Sequence, residues 1–238
     1  MAKHGGRSVS SSSGSADCLE ALGGNIQLRA EQVARCLDET GIAFMFAPNH
    51  HAAMKHAAPV RKELGVRTMF NLLGPLTNPA GAPHQLMGVF HADLVGIQAR
   101  VLQALGSTHV MVVHGCDGLD ELTLAGPTQV AEVKDGLLRE YTVSPADFGL
   151  AISPSSALSA RSSSESVDTI RRVLAGEAGP ARDIVLLNAG AALYCADVTP
   201  SIAEGVDAAR SAIDSGAAHS RMEQWVSVTQ RLGKETGT

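Results

Sequence analysis

Short apolar runs alternate with amphipathic stretches along most of the chain, and that alternation predicts an α/β protein. A Ser- and Gly-rich opening, Lys3 to Gly14, reads as a loop. It leads into a helix from Ser15 through Leu22, with Ser13 or Ser15 as the cap and Gly23-Gly24 as the stop. The amphipathic stretch Glu31 to Glu39 then feeds, through Gly41, the buried strand Ile42 to Phe46. A further helix is expected over His50 to Leu64, ended by Gly65, followed by the turn-forming Asn71 to Pro79.

Two more strand units follow: Gln85 to Phe90 before the helix Leu94 to Leu105, and His109 to His114 before the loop Gly115 to Leu122. Strands separated by helices predict a mostly parallel central sheet flanked by helices. From Thr128 to Val143 the period shortens to strict alternation around Asp135-Gly136, which predicts an antiparallel hairpin. Beyond a polar linker at Ser153 to Ser164, helical periodicity returns around Val167 to Leu174, Asp183 to Leu193, Ile202 to Ile213 and Ser220 to Leu232. No repeat of solenoid period occurs, so one α/β domain over 1–238 is the simplest organisation.

Composition narrows the chemistry. With 238 residues and 45% hydrophobic content, the chain can bury a large core. A formal net charge of -5 with no basic block argues against nucleic-acid binding, and 3% aromatic content leaves little for stacking bases. The four cysteines, Cys18, Cys36, Cys116 and Cys195, have neither zinc-site nor disulfide-framework spacing, and His50, His51 and His56 lack a matching ligand set. No signal peptide or membrane-spanning stretch is evident, so a cytoplasmic location is expected.

Three groups of residues carry chemistry. In the opening stretch Lys3 and Arg7 supply charge, Gly5 and Gly6 allow backbone N–H groups to approach an anion, and the serines donate further hydrogen bonds ahead of a helix N-terminus. A flexible linker has the same composition. At the end of the strand Val110 to Val113, the loop after His114 carries Asp120 and Glu121, adjacent carboxylates suited to Mg²⁺ shared with substrate phosphates; an ordinary solvated acidic turn would read the same way. Arg61, with Arg67 nearby, can clamp a carboxylate through two hydrogen bonds, or simply sit solvated on its helix.

Taken in order, KHGGRSVSSSSGSADCLEALG, FMFAPNHHAAMKHAAPVRKELGVRTMFNLLGPLTNPAGAPHQLMGVF and VVHGCDGLDELTL resemble successive motifs of anthranilate phosphoribosyltransferases. The resemblance implies an α/β domain like those of nucleoside phosphorylases, and transfer of a phosphoribosyl group from 5-phosphoribosyl 1-diphosphate to anthranilate in tryptophan biosynthesis. It places Lys3, His4, Gly5, Gly6, Arg7, Ser8, Val9, Ser10, Ser11 and Ser15 against phosphoribosyl diphosphate. Arg61 then becomes the anthranilate-binding arginine, and Asp120 and Glu121 become Mg²⁺ ligands. His4 is left as a positioning or proton-accepting group, and no residue takes the part of a covalent nucleophile.

One position departs from the pattern: the family usually reads KHGNR, its asparagine contacting anthranilate, where this chain has Gly6. The resemblance also implies that a small helical domain, a GTGGD-type diphosphate loop and an NIST-type segment precede the KHG motif. This chain is therefore expected to be a C-terminal portion or a shortened gene product, with residues 50–80 facing the helical domain. Family dimers use that domain, so altered dimerisation and marginal solubility are expected. The rival readings are a nucleoside phosphorylase-like enzyme and a non-catalytic ligand- or nucleic-acid-binding relative.

Overall fold

The structure is a computed structural model and describes residues 1–7, 14–51, 56, 63, 69–160 and 162–235. In chain order its elements are β1 (Ala2–Gly5), α1 (Ser15–Ala21), α2 (Ala30–Thr40), β2 (Ala43–Phe46), β3 (His84–Gly88), α3 (Leu94–Ala104), β4 (His109–Gly115), β5 (Thr128–Lys134), β6 (Leu137–Val143), α4 (Ser163–Leu174), α5 (Pro180–Cys195), α6 (Ile202–Asp214) and α7 (Ala217–Lys234). Single helical turns at Ala47–His50 and Phe70–Leu73, and a 3-10 turn at Gly74–Thr77, fill the stretches rich in Pro, Asn and Gly. The helix expected over His50 to Leu64 falls largely outside the described residues; among those described in that stretch, His50, His56 and Glu63 are helical.

The chain divides into two compact units, one of Met1–Gly81, Ala160–Arg171 and Ala218–Thr238, the other of Ala82–Ser159 and Arg172–Ala217. In the first, β1 and β2 pair in parallel, Lys3 opposite Phe44 and His4 opposite Met45. All four residues of β2 are buried, as a continuous apolar run requires. They pack in a core with Ile26, Leu28, Val33, Trp225 and Leu232. Helix α2 ends on Gly41 in the left-handed conformation, which turns the chain directly into β2.

The second unit is built on a four-stranded sheet in the order β3-β4-β5-β6. β3 and β4 are parallel, and β5 and β6 run antiparallel, so the α/β class holds with the hairpin where Asp-Gly predicts it. Asp135 (φ 52) and Gly136 (φ 74) both take positive φ at that turn, the requirement of a two-residue hairpin loop matched to strand twist. Every residue from His109 to Val113 is buried at β4, which lies between β3 and β5. Leu122, Leu124, Leu186 and Leu187 are buried as well, so the loop after β4 is anchored by its own leucines.

The start of α1 corrects the expectation of a serine cap. Gly14 is the cap residue, and the Asp17 carboxylate closes the first turn by accepting from the Gly14 N–H at 2.9 Å. Ser15 is instead the first helical residue, and Ser13 lies outside the described residues.

Candidate functional site

The glycine-rich stretch leaves β1 at its carboxyl end, where ligands of parallel α/β sheets gather. Strand alternation sends successive side chains to opposite faces, so Lys3, exposed, and His4, half-buried, point to opposite sides of β1. Gly5 lies against Ser15: a Cβ added there would be 3.5 Å from the Ser15 Oγ. Apart from its chain neighbours, no described residue lies within 4 Å of a Cβ added at Gly6.

Arg7 is not a free cation. It pairs with Asp17 at 2.7 Å and Glu20 at 2.6 Å, both on α1, and its guanidinium sits 5.7 Å from the Phe46 ring centroid. Hydrogen bonds to Glu20, then Asp17, hold its proton more firmly than usual. Ser8, Val9, Ser10 and Ser11 lie outside the described residues, and so does Arg61.

His4 meets a partner that sequence reasoning had set aside. His51, just past the turn that follows β2, brings its Nε2 to 3.0 Å from the His4 Nε2, the rings edge-on with centroids 4.8 Å apart. One nitrogen must donate and the other accept, which requires at least one neutral ring. Burial first, then the neighbouring His51 and His50, lowers the pKa of His4, and burial followed by His51 lowers that of His50. The outcome is that His4 and His50 are held toward the neutral form. The only sequence signal for it is His50-His51 a short turn after a strand.

In the second unit, Asp120 and Glu121 are exposed on the loop beyond β4. The loop is built by a chain of local bonds. The Gly115 N–H donates to the Leu119 carbonyl at 2.8 Å, the Cys116 N–H to the Pro127 carbonyl at 3.0 Å, and the Thr123 hydroxyl to Asp117 at 3.0 Å. The Asn188 side chain on α5 accepts from the Leu122 N–H at 3.0 Å and donates to the Leu122 carbonyl at 2.9 Å. From β3, Gly88 passes so close beneath the Asp120 carbonyl that an added Cβ would lie 1.4 Å from that oxygen.

This donor set fits Mg²⁺. Two adjacent hard carboxylates with solvent access leave room for the waters and phosphate oxygens that the ion retains. A second group, His84, His109 and Asp197, is the only one among the described residues with three donors at metal-ligand spacing. Its donors are already engaged. The buried His109 ring faces Asp197 at 2.8 Å through Nδ1 and Glu132 at 2.9 Å through Nε2, and His84 Nδ1 meets the Cys195 carbonyl at 2.9 Å. Lys134 pairs with Asp197 at 3.0 Å.

Glu132 also accepts from the hydroxyls of Tyr194 at 2.7 Å and Tyr141 at 3.1 Å, and burial beside it raises the pKa of both phenols. Burial likewise pushes the Cys195 thiol up to about 12, while hydrogen bonds from His109, then Lys134, hold Asp197 below its usual range. A recess of about 80 Å³ beside this network is too small for a phosphoribosyl substrate by comparison with ordinary ligand pockets of roughly 300–1,000 Å³. We read the network as structural.

An α/β chain with a glycine-rich stretch at one strand end and an acidic pair at another suits a glycosyltransferase-type protein, and the family match places it in that class. The model of the glycosyl transferase family, a/b domain, matches residues 1–219. The anthranilate phosphoribosyltransferase of Methylibium petroleiphilum is 68% identical over 232 residues, covering 98% of this chain and 67% of the relative. The crystal structure of the Thermus thermophilus anthranilate phosphoribosyltransferase superposes with a TM-score of 0.90 at 46% identity, covering 96% of this chain and 68% of that one. The Saccharomyces cerevisiae enzyme in complex with PRPP and Mg gives a TM-score of 0.86 at 27% identity, covering 97% and 65%.

The chain belongs to the anthranilate phosphoribosyltransferase family. It spans about two thirds of the length of the relatives it matches.

Proposed function

We propose that this chain binds 5-phosphoribosyl 1-diphosphate with Mg²⁺ and transfers the phosphoribosyl group to anthranilate. The observation that carries the reading is the Asp120–Glu121 pair, exposed beyond the carboxyl end of β4 on a loop that packs closely against Gly88 of β3 and whose Leu122 backbone is hydrogen-bonded by Asn188 of α5. A solvated acidic turn needs no such anchoring. The relatives named above and the yeast complex with PRPP and Mg support the same assignment.

In this reading the anthranilate amine forms the new N–C bond at the anomeric carbon of the ribose. The C–O bond to diphosphate breaks with its electron pair on the departing oxygen, and the amine releases one proton. When bound, Mg²⁺ supplies charge neutralisation to the leaving diphosphate. Lys3 and the backbone N–H groups of Gly5 and Gly6 contribute phosphate contacts, joined by Ser8, Val9, Ser10, Ser11 and Ser15. Arg7, already committed to Asp17 and Glu20, acts by fixing the stretch onto α1 rather than as a free phosphate ligand. Arg61 clamps the anthranilate carboxylate. His4 and His51 offer hydrogen bonds, and a neutral His4 sets no positive charge against a cationic ribosyl transition state. Catalysis then rests mainly on positioning.

The test is diphosphate release on mixing the purified chain with phosphoribosyl diphosphate, anthranilate and Mg²⁺. Release that requires all three supports the reading. Phosphorolysis of inosine or another nucleoside, and no diphosphate release with anthranilate, overturns it.

A further inference from the structure

We infer that Asn188 is a positioning residue for the metal-binding loop, acting through the backbone of Leu122 to set the carboxylates of Asp120 and Glu121. The inference rests on the Mg²⁺ reading of that pair. Asn188 lies near the middle of α5, where asparagine is a poor helix former and its neighbours Leu186 and Leu187 are fully buried. An apolar residue there would be the ordinary choice for packing alone.

What the amide does instead is specific. Its oxygen accepts the Leu122 N–H at 3.0 Å and its nitrogen donates to the Leu122 carbonyl at 2.9 Å, so one side chain grips both polar groups of one backbone residue as a neighbouring strand would. The same nitrogen donates to the Ile184 carbonyl of its own helix at 3.1 Å, which fixes the rotamer of the amide and prevents its reversal. Leu122 directly follows Glu121, and its own side chain is fully buried. On the other side of the pair, the Asp120 carbonyl packs closely against Gly88.

The acidic pair is therefore hydrogen-bonded through the Leu122 backbone on one side and packed against Gly88 on the other, while its own side chains stay exposed. Groups that orient a metal's ligands typically change metal affinity by about 10–100-fold when removed. A purely structural asparagine would change stability and leave that affinity alone.

The experiment is Mn²⁺ titration of the full chain with phosphoribosyl diphosphate present, read by water-proton relaxation enhancement, for wild type, Asn188→Ala, Asn188→Asp and the double variant Asp120→Ala/Glu121→Ala. Amide exchange of the 116–125 segment and circular dichroism are measured in parallel. Wild type should bind, and the double variant should not. Asn188→Ala should bind about tenfold more weakly, on the scale of such outer residues, with faster exchange confined to the loop. Asn188→Asp keeps the acceptor but sets a carboxylate against the Leu122 carbonyl, so it should also weaken binding, and it decides the matter if Asn188→Ala does not fold.

Wild-type affinity in a folded Asn188 variant with an accelerated loop overturns the inference and leaves the Mg²⁺ reading standing. Absence of wild-type binding, or undiminished binding in the double variant, removes the Mg²⁺ reading itself, and the inference falls with it.

Discussion

His109 Nε2 stands 2.9 Å from the Glu132 carboxylate between adjacent strands of the second unit's sheet, and the histidine side chain has no solvent exposure at all. Its Nδ1 faces Asp197 at 2.8 Å. Each ring nitrogen thus faces a carboxylate oxygen, and Glu132 receives two phenolic hydroxyls besides. Removing one member of a buried, hydrogen-bonded pair strands the other, at a cost of about 3–5 kcal/mol. Glu132→Ala should therefore lower the free energy of unfolding by roughly 3 kcal/mol in urea titration. Tyr141→Phe, which deletes one bond to a carboxylate that keeps its other partners, should cost only about 1 kcal/mol.

Gly88 carries the second prediction. Its missing Cβ makes room for the Asp120 carbonyl, and the clash on adding one is with backbone, which cannot rotate away. Gly88→Ala should destabilise by about 3 kcal/mol, at the upper end of overpacking costs, and should also disturb the Asp120–Glu121 loop. Thermal unfolding and amide exchange over the 116–125 segment measure both effects.

The imidazole cluster gives the first unit a pH dependence. His4 and His50 titrate below their ordinary value when folded, so on the acid side the unfolded chain binds more protons than the folded one. Stability from this source is fully present above the unfolded histidine pKa of about 6.5 and is lost as pH falls through the folded values. The unfolding midpoint of wild type should drop as pH falls below about 6.5, the unperturbed histidine value. His51→Ala should flatten that drop, because it removes a positive neighbour of both rings. An identical pH profile in the variant would refute the assignment.

Among the described residues nothing lies within reach of a Cβ added at Gly6, which leaves room for a side chain there. Restoring the family residue as Gly6→Asn should lower KM for anthranilate roughly fivefold, the worth of about one hydrogen bond, and leave KM for phosphoribosyl diphosphate unchanged. Steady-state kinetics with each substrate varied separates the two.

Much of the fold is legible in the sequence where the signal is local. The unbroken apolar Ile42 to Phe46 announces a buried strand, and Asp135-Gly136 between alternating runs announces the hairpin. The cap of α1 is not legible, because Ser13, Gly14 and Ser15 all suit that place and only the Asp17 carboxylate selects Gly14. The division of the strands into two sheets depends on pairings between distant segments, which periodicity does not encode. The same limit applies to the site. Asp120 and Glu121 stand out in the sequence only as candidates, because an acidic pair after an apolar strand also suits a solvated turn, whereas Asn188 meets Leu122 across 66 residues and His109 meets Asp197 across 88, and nothing local marks either meeting. Arg7 shows the converse: a cation that reads as a phosphate ligand is paired with Asp17 and Glu20 once α1 forms.

Whether Asp120 and Glu121 hold the metal that brings phosphoribosyl diphosphate to this chain decides the function proposed above. Calorimetric titration of the purified chain with phosphoribosyl diphosphate, with and without Mg²⁺, addresses that directly. The account predicts binding that requires Mg²⁺ and disappears in Asp120→Ala/Glu121→Ala, with the folded signal in circular dichroism retained. Binding that ignores Mg²⁺, or that survives in the double variant, would contradict it.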